Sequence, residues 1–552
     1  MRRSILAVLI ALAVLAPSLF FAIEVQAGGS ETGEFPDRVF TVTKGLIAGS
    51  DKASYVATIL PSVDCSWWVE LSSLGGSAVK VEVIQVSDPK DISLSTVRLD
   101  SVGDESERVA LAGDQEYLAK FTYVGRSGTS ILLERSTIVP PGSEGWQEPT
   151  LLQTLSEYEQ AGSVGMDDQG NAVIIWEQPF EGNYSPDCVG IWWIRYDHVS
   201  GWGEPAKIWD GDFICGYTAL GVGPGGQAVA AWYAEVAPED SRLHLSLYDP
   251  ASGWGSPTVL QVGSGYGILA ADVDGSGNAM VIVASQPMLY LTAAIHEVGS
   301  DWRTEEITSY GGAWPHVRYD GLGCAMVLWD DSQVMSSRYV PGVGWGPVMV
   351  ASGSIGGYWA ELDVDDTGRA LATFFLYNGT AWQMYGNLFD PVTGWGTPVQ
   401  IGPADNGWHP FGGFVSAGAP DQFFVIWEQA TTYDGEYKSV WSRTWSASSG
   451  WGESVKLNEG YSTNSRMFTS ISACENGEAL ASWTEGDNAM QSVVAARYTP
   501  GTGWAASVTI DSSEEYPAYL SYSSMAPNGD TVIIWRQSDG ENDLLWGRVY
   551  LA

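Results

Sequence analysis

The stretch 392-VTGWGTPVQIG-402 decides the reading of this chain because it recurs. Close copies are 200-SGWGEPAKIW-209, 252-SGWGSPTVLQ-261, 343-VGWGPVMVAS-352 and 449-SGWGESVKLN-458. Weaker copies are 144-EGWQEPTLLQ-153, 300-SDWRTEEITS-309 and 502-TGWAASVTID-511. Their tryptophans run from Trp146 to Trp504 at a mean spacing of about 51 residues. A second signature stands between the copies: a turn ending in Gly, then a strand ending six residues later in Trp. It reads 170-GNAVIIW-176, 226-GQAVAAW-232, 323-GCAMVLW-329, 477-GEALASW-483 and 529-GDTVIIW-535. Three copies vary it: 277-GNAMVIV-283, 368-GRALATF-374 and 421-DQFFVIW-427. Apolar positions alternate at period two and Gly punctuates the chain at short intervals, which reads as strands and not helices. Four short strands per copy at this period indicate a β-propeller with one blade per copy. The expected fold is therefore all-β with an eight-bladed propeller. Seven blades is the fallback, because the third copy ends its strand in Val283 where most have Trp.

Each copy reads as an apolar strand, an Asp-x-x-Gly hairpin, the Trp-ending strand, a third strand, and the Gly-Trp-Gly hairpin before an outermost strand. Gly supplies the positive φ that such tight turns need. Trp packs between neighbouring blades and buries a large apolar area. The region enters on an outermost strand, 147-QEPTLLQT-154, and ends at 544-LLWGRVYLA-552, a third strand without a fourth. The propeller is thus expected over 145–552, with strand 147–154 completing the last blade.

Ahead of it, Arg2 and Arg3 precede an apolar run from Ile5 to Ile23, with Val25-Gln26-Ala27 before Gly28. Residues 1–27 read as a secretory signal peptide cleaved after Ala27. The mature chain is then expected to be secreted or held at the cell surface, without membrane insertion. Segments such as 55-YVATIL-60, 67-WWVELSSL-74, 79-VKVEVIQV-86 and 116-EYLAKFTYV-124 make 35–140 an antiparallel β-sandwich. Pro140-Pro141-Gly142 marks the boundary.

The full sequence carries 66 acidic and 26 basic residues, a net charge of −40, which excludes nucleic acid and anionic lipid as partners. A hydrophobic content of 45% places it among globular chains. Five cysteines are too few for a disulfide scaffold and lack zinc spacing. Cys188 and Cys215 are the candidate pair.

The Asp-x-x-Gly turns followed by Trp-ending strands resemble secreted bacterial and archaeal propellers loosely related to the sialidase-type superfamily. The Trp-x-Val, Val-x-Val-x-Val and Gly-Asp-x-x-Tyr order in 35–140 resembles sandwich domains found beside secreted proteases. A sialidase would imply three clustered arginines and a Ser-x-Asp-x-Gly-x-Thr-Trp box. The box is absent in that form and the arginines are scattered. No Gly-x-Ser-x-Gly elbow and no His-Glu-x-x-His stretch occurs.

Function is sought at the mouth where inner strands begin and second strands end, since such loops share one face. There stand Tyr217, Tyr266, Trp314, His316, Tyr358, Trp359, Trp408, His409, Phe468 and Tyr516. Aromatic platforms beside carboxylates and amides suit sugar rings, and equally a loop of a surface protein. The expected function is a non-catalytic binding or adhesion scaffold for a glycan or surface protein. The alternative is a glycoside hydrolase or lyase using Asp330, Asp331, Glu428 and Glu485. A third reading is a self-associating subunit of an envelope layer or filament. No cofactor is expected beyond calcium, for which 272-DVDGSGN-278 offers Asp272, Asp274 and Asn278. The same Asp turns also close by bonding their own amides. Asn183 and Asn378 lie in glycosylation sequons.

Overall fold

The computed structural model describes residues 145–552 except 156–161, 180–188, 211–217, 238–239, 263–266, 286–289, 310, 403–407, 431–437, 459–466, 488–489, 512–515 and 541. N-terminal to these it describes nine strands between Glu24 and Val139. They pair as a four-stranded sheet, a three-stranded sheet and a two-stranded ribbon. The chain divides into two units, Met1–Gly145 and Trp146–Ala552. Most of the expected signal peptide, and the side chains of the expected sandwich, lie outside the described residues.

The second unit is an eight-bladed propeller, and no helix occurs among the described residues. Blade 4 shows the plan: an inner strand Ala313–Tyr319, a second strand Ala325–Asp331, a third Gln333–Val340, then Gly344–Trp345 and Met349–Val350 outermost. The outer strand is split where the sequence places Gly-Pro. Proline cannot extend a ladder, so it also guards the exposed edge. Blade 3 forms although Val283 replaces Trp, since Val283 is equally buried there. In blade 8 the third strand Asp543–Leu551 pairs with both Gly145–Trp146 and Thr150–Leu155, so the two ends of the unit share one sheet.

The two sequence signatures do different work. The strand-ending Trp176, Trp232, Trp329, Trp427, Trp483 and Trp535 are buried at 2% exposure or less. In blades 6, 7 and 8 the residue two further on accepts the indole N–H: Trp427 bonds Gln429, Trp483 bonds Glu485, and Trp535 bonds Gln537, at 3.2–3.3 Å. The hairpin tryptophans instead pack edge-on or tilted, across the strand pair, against an aromatic of the third strand. Examples are Tyr196–Trp202 and Tyr248–Trp254, both with centroids 5.2 Å apart. Each also reaches into the core of the preceding blade. Trp202 packs with Val532, Ile534 and Leu545 of blade 8, and Trp451 with Leu371, Phe375 and Met384 of blade 5. The hydrophobic core is therefore eight inter-blade clusters around a ring.

The hairpins between inner and second strands close on their Asp. Asp274 accepts the amides of Ser276 and Asn278, each at 2.8 Å, and Asp167, Asp320 and Asp365 repeat the pattern. The Gly that follows is left-handed, as at Gly277 (φ 83°), and in blade 6 Asp421 (φ 64°) takes that place.

A second ring of contacts runs around the channel. In blades 3, 5, 6 and 8 the residue two before the hairpin bonds the backbone of the next blade. Asp272 accepts from Tyr319 N (2.7 Å), Asp363 from Ala417 N (2.8 Å), Ser416 from Ala473 N (3.0 Å), and Ser524 from Met166 N (3.0 Å). The last spans the junction of blade 8 with blade 1. In blades 1 and 2 the position is Gly165 and Gly221; a Cβ at Gly221 would meet the Asp272 backbone at 2.6 Å.

Emptying a junction should cost far more than cutting a latch. Trp427→Ala is expected to lose about 3–5 kcal/mol and Ser524→Ala about 1 kcal/mol, read as shifts in denaturation midpoint.

Candidate functional site

Inner strands of five successive blades begin with the same distortion. Trp314 (φ 48°), Trp359 (φ 51°), Gly412 (φ 54°), Phe468 (φ 45°) and Leu520 (φ 55°) are left-handed at the equivalent place. In four of these blades the ladder register shifts there, between Ala313 and His316, Tyr358 and Glu361, Phe411 and Phe414, and Tyr519 and Tyr522. A bulge of this kind re-aims a side chain out of the sheet. Bulky residues pay roughly 1–3 kcal/mol to stay left-handed, so the surroundings must hold them.

Carboxylates from the preceding blade do so. Asp330 accepts the amide of Trp359 at 2.7 Å and that of Ala360 at 3.4 Å. Glu428 accepts the amide of Met467 at 3.0 Å and pairs with buried Lys438 at 3.3 Å. Burial pushes the Asp330 carboxyl up to about 6, against the two amides that favour its charged form.

The result is an aromatic rim over blades 4–6. Trp314 and Trp359 are each 52% exposed. Trp359 leans on Trp382 with centroids 4.9 Å apart, and Tyr377 meets Trp382 at 5.5 Å. Tyr358, Tyr377 and Phe411 are exposed beside them.

Behind this rim the inner strands turn charged groups into the channel. His316 and Arg318 belong to blade 4, Glu361 and Asp363 to blade 5, and Asp272 to blade 3. Arg318 Nε donates to Asp363 at 3.2 Å. His316 Nδ1 lies 3.6 Å from the Glu361 carboxyl. Protein surrounds this cluster, yet channel water reaches 23% of the His316 side chain and 28% of that of Glu361. Burial pushes Glu361 up to about 8, with Arg318 opposing and Asp330 adding to the shift. Burial and the charge of Arg318 push His316 down to about 4. Burial likewise raises Asp272 to about 6, against Arg318 and the Tyr319 amide, and raises Asp363 despite its guanidinium partner. Near neutral pH the mouth therefore presents a neutral imidazole beside a protonated carboxyl.

Of the residues expected at this mouth, Trp314 and His316 stand at the start of the inner strand of blade 4 and Tyr358 and Trp359 at that of blade 5, the three aromatics exposed. Phe468 and Tyr516 are half-buried on blades 7 and 8. Trp408 and His409 open the inner strand of blade 6, but their side chains lie outside the described residues. Tyr217, Tyr266, Cys188, Cys215 and Asn183 also lie outside them. Asn378 is exposed at a hairpin tip, where it accepts the amides of Thr380 and Ala381. The four acids considered for catalysis do not gather as one set. Asp330 and Glu428 hold bulges, Glu485 accepts the Trp483 indole, and Asp331 ends its strand beside Asp330. Asp272 and Asp274 serve different amides, one across a blade junction and one within its own hairpin. No group of three or more metal-ligating side chains is placed to hold an ion among the described residues.

Arg318, Glu361 and Asp363 were not singled out from the sequence. Their signal is positional: Arg318 and Asp363 stand two residues before the hairpin, where other blades carry Gly165, Gly221, Ser472 or Ser524, and Glu361 stands four before it.

The opposite, hairpin-side end of the channel holds a cavity of about 220 Å³, lined among others by Asp168, Asp366, Ser416, Cys474 and Glu475. The hydrogen bond that the protonated Glu475 carboxyl donates to Asp366, with burial, pushes Glu475 up to about 7.

The sign of the Glu361 shift gives a stability test. A raised folded-state carboxyl stabilises fully below its ordinary 4.5. That contribution is lost as pH climbs toward about 8. Glu361→Gln cannot ionise, so its melting temperature should match the wild type near pH 4.5 and exceed it at pH 8. Parallel curves across that range would remove the assignment.

No protein-family model and no curated protein matches the chain. Among solved structures it is similar to the BP39L lectin of Burkholderia pseudomallei, at 14% identity and TM-score 0.44, over 66% of this chain and 100% of the lectin. It is similar to an ulvan lyase of polysaccharide lyase family PL25, at 11% and 0.44, over 72% and 95%. It is also similar to a leech intramolecular trans-sialidase, at 11% and 0.32, over 89% and 94%. All three are distant likenesses in both identity and score.

Proposed function

We propose that this protein is an extracellular or cell-surface scaffold that binds a glycan at the strand-start mouth of its propeller, over blades 4–6. The observation that carries the reading is the pair Trp314 and Trp359. Two large indoles are held half-exposed in strained, left-handed backbone, one of them fixed by a buried carboxylate. Strain of this kind marks positions where a surface is shaped for use. An exposed indole offers the flat apolar face that the C–H side of a sugar ring covers. The polar groups behind it offer partners for hydroxyls.

Binding is favoured over cleavage because Asp330, Glu428 and Glu485 already accept structural hydrogen bonds. One observation favours the cleavage reading. Glu361, protonated near neutral pH, stands two residues from Asp363 on one strand, so that an acid and a carboxylate face the same channel. Release of reducing ends from bound oligosaccharides, abolished in Glu361→Gln, would establish it.

The decisive measurement is binding of the full chain to a broad glycan array, with calcium and with a chelator. Selective binding is expected, weakened about tenfold or more in Trp314→Ala and Trp359→Ala, the equivalent of about 1.4 kcal/mol. A blank array in both conditions would sink the glycan reading.

A further inference from the structure

The charges around the strand-start mouth do not balance. Three carboxyls, Asp272, Glu361 and Asp363, stand around one guanidinium, that of Arg318, and a fourth, Asp330, stands beside Glu361. Three of the four are engaged. Asp272 accepts from Tyr319, Asp330 from Trp359 and Ala360, and Asp363 from Arg318, Val364 and Ala417. Arg318 itself is held by Asp363 and by the Val317 carbonyl. Glu361 differs. Among the described residues no donor lies within hydrogen-bonding distance of its carboxyl, and His316 at 3.6 Å is beyond that reach. It sits two residues along the same strand from Trp359, the exposed indole of the rim.

We propose that the ligand carries a free amino group: an amino sugar whose ring covers Trp359 and whose ammonium meets Glu361 beneath the aromatic rim. This rests on the glycan reading above and narrows its substrate class. An ammonium adds positive charge to a set in which carboxyls outnumber the single guanidinium. It brings several N–H donors to a carboxyl that has none. Indole faces favour a cation laid against them. A uronic acid or a sulfated sugar would instead bring a negative charge against this set, in a protein of net charge −40.

Glu361 stays neutral at the mouth because burial there is not matched by positive charge. The groups facing it are His316 and Arg318 from the inner strand of blade 4, Asp330 from its second strand, and Asp363 from its own strand. The neighbouring inner strand of blade 6 carries His409. An arriving ammonium displaces the Glu361 proton to solvent, leaving a carboxylate–ammonium pair. An arriving free amine takes that proton directly, and the charges of the final pair are the same.

The test is titration calorimetry of the full chain at pH 6.5, in two buffers of different ionisation enthalpy. The probes are glucosamine tetrasaccharide, its fully N-acetylated counterpart, tetragalacturonate and tetralysine. The deacetylated sugar should bind about tenfold tighter than the acetylated one, or more. Its heat should differ between buffers as protons are released. Glu361→Gln should collapse the ratio of the two affinities toward one, whereas Glu475→Gln, at the far end of the channel, should leave it unchanged. The proposal is overturned by equal affinity for both sugars, by preference for the galacturonate, or by equal binding of tetralysine. A preference that survives Glu361→Gln, that moves with Glu475→Gln, or that calcium displaces would overturn it too. Binding of sugars without amine preference, still lost in Trp359→Ala, would end this inference and leave the glycan reading standing. No binding of any sugar would end both.

Discussion

The fold depends on one contact made eight times, the hairpin tryptophan of each blade seated in the core of the blade before it. A single four-stranded blade has two faces and cannot bury both against itself. The hairpin indole packs edge-on against the third strand of its own sheet and reaches into the preceding one, so each blade is completed by its successor. Such a dependence can end only by closing. Trp202 of blade 1 therefore packs against Val532, Ile534 and Leu545 of blade 8, while Ser524 of blade 8 bonds the backbone of blade 1.

Function then draws on what the ring leaves over. The junction cores are apolar and repeated, so little in them distinguishes one blade from another. Distinction enters at the two places where the repeat is free to vary: the bulge opening each inner strand, and the channel-facing positions two and four residues before each hairpin. Blades 4 and 5 put indoles at the first and charges at the second. The strain of a left-handed tryptophan is offset by a buried carboxylate from the neighbouring blade, so that a structural acid and a surface aromatic form one unit.

The channel sets the electrostatics. Protein around the inner strands lowers the dielectric, while water along the axis keeps the groups reachable. Carboxyls in this setting hold their protons to higher pH, and an imidazole beside Arg318 loses its own earlier. The same residues on an outer strand would titrate near their ordinary values.

The sequence by itself determined the architecture. Eight Gly-Trp hairpins in step with eight Gly-to-Trp strands are a one-dimensional pattern, and a repeat is legible because every copy states the same local chemistry. It also pointed to Trp314, His316, Tyr358 and Trp359, since position within the repeat implies a face of the ring. Only the tertiary structure decided which acids are free. Asp330 and Glu428 look like exposed strand-end carboxylates in the chain, and folding brings the amides of the next blade to their oxygens. Glu361 and Arg318 look like ordinary strand residues until closure places them around a shared channel. The division has one physical cause. Blade identity is set by contacts near in sequence, whereas the partners of each channel group stand some fifty residues away, on a neighbouring blade.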